Sequence, residues 1–164
     1  MLVEAIEDST GIKAIALRYL ALREHSQQEL LAKIQAKGFT RQAIGPVLAE
    51  LCRQGWQSDA RYAESYARHR IRKGFGPQAI RYELRQNGVL DVDLDSILAD
   101  VADSWLAQMA QVYAKKYRAA PNGVAGPLSK TEWAKRSRFL LQRGFPADLL
   151  PALLNHLNIT LTSI

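Results

Sequence analysis

The sequence predicts an all-α protein built as an elongated, solenoid-like array of three tandem three-helix repeats. Three observations predict it. Apolar residues recur three and four positions apart, whereas β-branched or alternating runs bounded by turns are nearly absent. Glycines that follow helical stretches recur at spacings of 50 and 56 residues, at Gly38, Gly88 and Gly144. Apolar residues also stand at matching distances around each of these glycines.

The matching apolar positions form four triplets, one before each glycine and three after it. They are Ile34, Leu84 and Leu140; Ile44, Leu94 and Leu150; Leu48, Leu98 and Leu154; and Leu51, Val101 and Leu157. Such a small unit cannot bury its own apolar face, so we expect the units to stack and to present a concave edge. The predicted segments are an N-terminal tail (1–13), repeat 1 (14–58), repeat 2 (59–103), repeat 3 (104–157) and a C-terminal tail (158–164).

In repeat 1, helical spacing of apolar residues predicts a first helix over residues 12–22. A capping box at residues 26–29 starts a second helix, which ends at Gly38, the residue type best suited to a left-handed helix end. Thr40 is placed to cap a third helix, which stops near Gly55. The repeat therefore contains three short helices.

Repeats 2 and 3 show related signals. Asp59 caps a helix that is interrupted by the Gly- and Pro-rich stretch 74–77, and a second capping box lies at residues 129–132. The extra length of repeat 3 is an inserted loop at 119–128, rich in helix breakers. Residues 97–117 contain neither Gly nor Pro, so one long bent helix there is an alternative to two short ones.

Composition restricts the class of protein. The chain has 164 residues, 48% of them hydrophobic and 23% charged, which predicts a folded core and excludes a barrel-sized enzyme. Residues 1–10 lack the features of a secretory signal peptide, and no apolar run approaches the length of a membrane span. Cys52 is the single cysteine, expected to be a buried, inert thiol, so we expect no internal disulfide and a cytoplasmic location.

No residue pattern predicts an active site or a cofactor. Asp91, Asp93 and Asp95 alternate as in a calcium loop, but the glycine and the bidentate glutamate of such a loop are missing, so we interpret them as helix-start acids. The histidines have no metal-ligand or catalytic spacing, and we interpret them as surface or interface residues: His25, His69 and His156. We therefore expect a protein that is not an enzyme and binds no metal.

Positive charge is concentrated in two segments. The chain carries a net charge of +6, with seven bases against two acids over residues 60–88 and eight against one over 115–143, whereas residues 89–103 hold five aspartates and no base. Arginine suits phosphate and carboxylate equally well, so nucleic acid and an acidic protein surface are both candidate partners. A plain solvated helix face is the simpler alternative.

The candidate partner contacts come from both basic segments. They are Arg68, Arg70, Arg72, Lys73, Arg81, Arg85, Lys115, Lys116, Lys135, Arg136 and Arg138. Aromatic residues stand among these bases at Tyr82, Tyr113, Tyr117 and Trp133, and stacking on single-stranded nucleic acid is one interpretation of them. Core packing is the favoured interpretation of these aromatics, because three of them fit helical apolar stripes.

Two stretches resemble a known family. Residues 59–66 and 70–77, followed by Ile80, Leu84 and Gly88, are similar to the central signature of the bacterial RecX family. Residues 17–20, 23–26 and 29–30, with 37–39, resemble its opening. The resemblance runs from about residue 14 to 157 and is strongest in the first two repeats. Asn87 departs from it, because the family usually carries a base there.

The resemblance implies a regulatory protein of tandem three-helix repeats that binds the filament of the RecA recombinase and inhibits its ATPase and strand-exchange activities. The resemblance also implies a position in the groove of the RecA–DNA filament, and it leaves open whether single- or double-stranded DNA is also contacted. We expect a monomer. The alternative is a helix-turn-helix-like DNA-binding regulator that acts without RecA.

Overall fold

The computed structural model describes residues 2–118 and 126–163, with side chains from residue 8 onward. The prediction of an all-α fold is confirmed, since the described residues form nine α-helices. These are α1 (Leu2–Leu22), α2 (Gln27–Gln35), α3 (Arg41–Arg53), α4 (Asp59–Arg72), α5 (Pro77–Gln86), α6 (Leu94–Val101), α7 (Trp105–Tyr117), α8 (Lys130–Gln142) and α9 (Leu150–His156). Helix α1 begins at Leu2, so most of the segment predicted as an N-terminal tail is helical.

The chain divides into two compact units that cut across the sequence repeats. The first unit holds the residues up to Tyr66 together with Leu84–Ile97. The second holds Ala67–Glu83 together with the residues from Leu98 onward. Repeat 2 therefore contributes helical segments to both units.

The core of the first unit is built by the three helices of repeat 1. Its buried side chains come from one face of each helix: Ile12, Ala16, Leu30, Ile34, Ile44, Val47, Leu48 and Leu51. The predicted caps hold the helix starts, because the Ser26 hydroxyl accepts from the Glu29 N–H at 3.1 Å and the Thr40 hydroxyl accepts from the Ala43 N–H at 3.2 Å. Apolar periodicity and capping thus agree on the same three helices.

The core of the second unit lies between α7, α8 and α9. It contains Met109, Ala110, Tyr113, Leu140, Phe145, Leu153 and Leu157. A short 3₁₀ turn, Ala147–Leu149, precedes α9 and shifts the register of its apolar face. Leu153 is fully buried as a result, whereas Leu150 and Leu154, the positions predicted from the repeat pattern, are half-buried.

A break separates α6 from α7. Ser104 has an extended backbone, with φ −150° and ψ 118°, and its hydroxyl accepts from the Ala107 N–H at 3.1 Å, which caps α7. The alternative of one long helix over residues 97–117 is therefore wrong. Because a serine cap can start a helix without Gly or Pro, the absence of these two residue types from 97–117 does not exclude a break.

A small element lies beside the start of α8. Strand β1 (Leu128–Ser129) pairs in parallel with β2 (Leu161–Thr162), so part of the predicted C-terminal tail is tied to the body of the unit. The Leu128 N–H also donates to the Thr160 carbonyl at 2.8 Å. Two-residue strands are too short to show alternation in a sequence. Most of the predicted inserted loop, residues 119–125, lies outside the described residues.

In the first unit, the start of α2 packs on the end of α5. The Ser26 hydroxyl donates to the Asn87 carbonyl at 3.2 Å, and the Asn87 side-chain amide donates to the Tyr62 hydroxyl at 3.0 Å. Gly88 has a φ of +82°, and a Cβ at this position would overlap with Gln28. This joint therefore needs the glycine both for its backbone conformation and for space.

In the second unit, the start of α5 packs in the same way on the end of α8. The Gly76 N–H donates to the Arg143 carbonyl at 2.7 Å, and the Gln78 N–H donates to the Gly144 carbonyl at 3.0 Å. A Cβ on Gly76 would lie 2.6 Å from the Gly144 backbone. Since Gly76 stands as far before Gly88 as Ser26 stands before Gly38, the two joints are equivalent positions of the repeat.

A buried polar cluster supports the first joint. The Gln57 side-chain amide donates to the His25 carbonyl at 3.2 Å and to Asp59 Oδ1 at 2.9 Å, and Asp59 Oδ1 also accepts from the Gln27 N–H at 2.9 Å. His25 and Gln57 are each only 1% exposed. The interpretation of His25 as a surface or interface residue is therefore wrong, because this histidine is part of the interior.

The protonation of His25 follows from its partners. Its Nδ1 lies 3.0 Å from the Arg23 carbonyl, which can only accept, so Nδ1 carries the proton. Nε2 then accepts from the Lys33 ammonium at 3.3 Å. Burial lowers the pKa of His25. The neutral ring is thus the form that fits this site.

Candidate functional site

The second unit carries a cationic cleft of about 580 Å³. It is lined by the end of α4 with the turn after it, by one face of α7 and by the end of α8. The lining residues are Ile71, Arg72, Lys73, Gly74, Gln108, Gln111, Val112, Lys115, Lys116, Arg118, Phe139 and Arg143. Six of them are cationic and none is acidic. We call this surface the cationic cleft.

Helix ends place most of these cations. Arg72 is the last residue of α4, and the chain turns at Gly74 with a φ of +89°. Lys115 and Lys116 lie in the last turn of α7, which ends at Arg118 in the left-handed region. Cations at helix C-termini interact favourably with the helix dipole, so the fold stabilises this concentration of positive charge.

Arg143 is held in position by aromatic rings. Its guanidinium lies 4.9 Å from the ring centre of Phe75 and 5.2 Å from that of Phe139, and it donates to the Lys73 carbonyl at 3.3 Å. The Lys116 ammonium lies 5.2 Å from the same Phe139 ring. Contacts of this kind orient the cations without neutralising them, since a ring carries no net charge. Their charge remains available to an anionic partner.

The structure brings four of the predicted contacts into the cleft: Arg72, Lys73, Lys115 and Lys116. Arg118 and Arg143 also line it, although they were not among the predicted contacts. Both stand in the basic segment 115–143, but each is next to a predicted loop or turn, where the sequence gives no helix face to assign. The signal that the sequence offers for Arg118 and Arg143 is their position in the basic segment 115–143.

Arg70 is engaged within the chain. Its guanidinium forms two hydrogen bonds with the Glu83 carboxylate, at 3.0 and 2.7 Å, and lies 3.7 Å from the ring centre of Phe75. Both charged side chains are about three-quarters buried, with exposed fractions of 24% and 26%. Arg70 therefore braces α4 against α5, and a partner contact by this residue stays a prediction.

Arg136 is likewise engaged within the chain. It donates to Glu132 at 3.0 Å and to the Tyr113 hydroxyl at 2.8 Å, and it lies 4.3 Å from the ring centre of Tyr117. Burial works against its charge, but the two hydrogen bonds outweigh burial, and the pKa of Arg136 is raised. The expected core role of Tyr113 is confirmed, since it is 1% exposed and packs on Trp133.

The remaining predicted contacts lie outside the cleft lining. Arg68, Arg85, Lys135 and Arg138 are exposed, and Arg81 is half-buried. Arg85 belongs to the first unit, whereas the other four belong to the second. Tyr82, by contrast with Tyr113, is 66% exposed and does not serve the core. Partner contacts by these residues stay predictions.

The structure also tests the interpretations of Cys52 and of the aspartates before α6. Cys52 is exposed, so the expectation of a buried thiol is wrong; it follows Leu51 on α3 but lies on the solvent side of the helix. Asp93 does act at a helix start, where its carboxylate accepts from the Ser96 N–H at 3.2 Å. Among residues 2–118 and 126–163, no helix has the length and apolar character needed to cross a membrane.

These features define a class of protein: tandem three-helix repeats with a cationic surface cleft. Family models for the first and second three-helix domains of RecX match residues 13–51 and 58–95. The regulatory protein RecX of Halorhodospira halophila is 37% identical over 149 residues, covering 91% of this chain and 89% of its own length. That of Legionella pneumophila is 40% identical over 136 residues, covering 82% and 87%. The chain belongs to the RecX family.

Solved structures agree on the fold. A crystal structure of a regulatory protein RecX matches with a TM-score of 0.78 at 21% identity and covers 94% of this chain and 76% of that one. RecX from Lactobacillus salivarius matches with a TM-score of 0.72 at 21% identity and covers 93% of this chain and 98% of its own. The helical repeat fold is thus shared with the family.

Proposed function

We propose that this protein is a non-catalytic regulator that binds the filament of the RecA recombinase on DNA and inhibits its ATPase and strand-exchange activities. Membership of the RecX family, whose relatives are named regulatory proteins, supports a regulatory role. In this proposal the protein acts as a monomer in the cytoplasm.

The cationic cleft is the observation that carries the proposal. Six cations line it without an acidic neighbour, and Ile71, Val112 and Phe139 add apolar surface between them. A protein filament wound on DNA offers phosphates and carboxylates side by side. Opposite charge attracts such a polymer over a distance of about one Debye length, and the apolar surface contributes once contact is made.

The test is the ATPase rate of RecA on single-stranded DNA with increasing amounts of this protein. We expect the rate to fall in proportion to the bound protein. In a variant that carries Arg72→Glu and Lys73→Glu, inhibition should weaken by at least about tenfold in concentration, because two attractive contacts become repulsive. Both side chains are exposed, so the circular-dichroism spectrum should remain helical.

Two results would count against the proposal. An unchanged ATPase rate at saturating wild-type protein would contradict inhibition itself. Binding to one duplex sequence in preference to random DNA by orders of magnitude, without any recombinase, would instead favour the stand-alone DNA-binding regulator.

A further inference from the structure

In repeats 2 and 3, the turn at the repeat glycine is covered by the helix start of the preceding repeat. The equivalent turn in repeat 1 is open. In those joints the acceptor is the carbonyl of the residue just before the turn glycine, namely Asn87 or Arg143. In repeat 1 this residue is Lys37, next to Gly38 with a φ of +104°. Within the described residues, no atom lies within 4 Å of a Cβ built on Gly38, and no backbone N–H outside the helices donates to the Lys37 carbonyl.

An apolar groove of about 360 Å³ lies beside this open joint. It is lined by Ile15, Arg18, Tyr19, Leu22 and Lys37, so the residue that marks the joint also forms an edge of the groove. Leu22 is 83% exposed, more than any other large hydrophobic residue whose side chain is described. We call this surface the repeat-1 groove.

The charges of the repeat-1 groove are of one sign. Arg18 and Lys37 are both exposed, and neither forms an ion pair among the described side chains. Two acids of the same unit are engaged elsewhere, since Glu24 pairs with Arg61 and Glu29 pairs with Arg23. An occupant that carries carboxylates would therefore meet two cations that no described acid pairs with.

The filled joints show what kind of element fits. In both of them the occupant is the first turn of a helix, residues 26–28 in one and 76–79 in the other. Helix first turns favour acidic residues, because these oppose the positive end of the helix dipole. The groove therefore combines an acceptor carbonyl, an apolar floor and two cations for a single acidic helix start.

We propose that the repeat-1 groove binds the acidic first turn of a helix from a partner protein, which docks where a preceding repeat would lie. One large apolar side chain of that helix fills the space between Tyr19 and Leu22. Its carboxylates face Arg18 and Lys37, and a donor at its start binds the Lys37 carbonyl. The proposal rests on the proposed function for the identity of this partner, a protein subunit of the RecA filament.

The helix starts of a second copy of the chain fit less well: the start of α6 is acidic, but its Asp93 carboxylate accepts from the Ser96 N–H of its own helix. The starts of α2 and α5 are already used in the two filled joints. The start of α8 follows directly on β1, whose partner strand is β2. A nucleic acid is also disfavoured, because three of the five lining residues are apolar or aromatic and the two cations do not form a run.

The experiment measures direct binding of RecA, with and without single-stranded DNA, by fluorescence anisotropy. Cys52 is the single cysteine and is exposed, and it does not line the groove, so it can carry the dye. In the groove variant, Leu22→Asp with Arg18→Glu, we expect the affinity for RecA to fall by at least about tenfold, since an apolar contact and a charge contact are lost.

A matched variant controls for charge. Leu90→Asp with Lys13→Glu makes the same change in net charge on the same unit, and both residues are exposed and outside the groove. We expect its affinity to stay within about twofold of the wild type, as exposed substitutions usually do. Circular dichroism and a thermal melt of each variant should show the folded protein.

The outcomes separate the two proposals. Wild-type binding that is weakened equally, or not at all, in both variants would overturn the groove proposal and leave filament binding standing. No wild-type binding to RecA in either condition would overturn both. Loss of a concentration-dependent dimer in the groove variant would assign the groove to a second copy, and loss of binding to DNA alone would assign it to nucleic acid; either result overturns the proposal.

Discussion

The N–H of Gly76 donates to the carbonyl of Arg143 at 2.7 Å, at the position where the Ser26 hydroxyl donates to the carbonyl of Asn87 in the other joint. One joint uses a backbone donor and the other a side-chain donor, and in each the acceptor is the carbonyl just before the turn glycine. The two backbones approach so closely in the Gly76 joint that neither Gly76 nor Gly144 has space for a side chain.

Gly76→Ala should destabilise the second unit. The added methyl would lie 2.6 Å from the backbone of Gly144, so the joint must open, and overpacking of this kind typically costs about 1–3 kcal/mol. Urea denaturation followed by circular dichroism measures the change in the free energy of unfolding. Gly144→Ala should cost more, because the φ of Gly144 is +94° and a Cβ there would also overlap with Ala79.

Two other glycines provide the controls. Gly38→Ala meets no neighbouring atom but keeps a φ of +104°, so it should cost only the left-handed strain of about 1–2 kcal/mol. Gly45→Ala lies on the exposed side of α3 with nothing nearby and should stabilise the protein by about 0.5–1 kcal/mol. If Gly76→Ala were as stable as Gly45→Ala, the steric account of the joint would be wrong.

The Arg70–Glu83 pair should contribute to stability and not only to charge. Both groups are about three-quarters buried and share two hydrogen bonds, so their coupling should exceed that of an exposed pair and reach about 1 kcal/mol. A double-mutant cycle with Arg70→Ala and Glu83→Ala measures it by urea denaturation. The exposed pair of Arg53 and Glu50 is the comparison, and equal coupling in the two cycles would refute the bracing role.

The sequence predicts much of the fold because periodicity, caps and glycines act locally. The capping boxes at Ser26 and Ser129 and the cap at Thr40 lie where the structure has them. The register of α9 could not be predicted, since the 3₁₀ turn before it tightens the chain and buries Leu153 instead of Leu154. Hydrogen-bonded turn geometry, which apolar spacing does not encode, decided that register.

The candidate site was predictable in composition but not in detail. The basic segment 115–143 indicated a cationic surface, yet Arg136 turned inward because Tyr113 and Glu132 offered it hydrogen bonds. A charged side chain and its partners become visible only when the helices are packed. The burial of His25 could not be predicted for the same reason, because it depends on the joint between α2 and α5 and on Gln57, 32 residues away.

Charge reversal in the cationic cleft should weaken binding to DNA-bound RecA more than an equal change outside it. We expect Lys115→Glu with Lys116→Glu to reduce affinity by at least about tenfold, and Lys135→Glu with Arg138→Glu to reduce it by less, because only the first pair lines the cleft. Binding should be measured at several salt concentrations by anisotropy.

The salt series distinguishes the kinds of anion bound. If each cleft lysine neutralises a phosphate of single-stranded DNA, its loss should reduce the slope of log K against log salt by about 0.7. A weaker affinity with a clearly smaller change in slope would indicate protein carboxylates instead, since such ion pairs are screened by salt but release no condensed counterions. Equal losses in the two charge-reversal variants would contradict the assignment of the cleft as the site.

Stability should fall as the pH is lowered through the range in which histidine normally titrates. His25 is buried against Tyr19, Arg23 and Lys33, with Glu29 nearby, and burial lowers its pKa below the unfolded value of about 6.5. Between the two pKa values the unfolded chain binds the extra proton, so the contribution of neutral His25 is complete above the unfolded pKa and decreases below it.

The urea midpoint of the wild type should therefore be lower at pH 5.5 than at pH 7.5, values about one unit on either side of the unfolded pKa. The pKa of Glu29 is lowered as well, since the Arg23 hydrogen bond and charge outweigh burial, but this carboxylate loses its contribution only in more acidic solution.

His25→Asn keeps a donor for the Arg23 carbonyl and removes the titrating ring. Its midpoint should change less between the two pH values, whereas His69→Asn, at an exposed position, should keep the wild-type difference. An equal pH dependence in all three proteins would show that the buried ring does not control it.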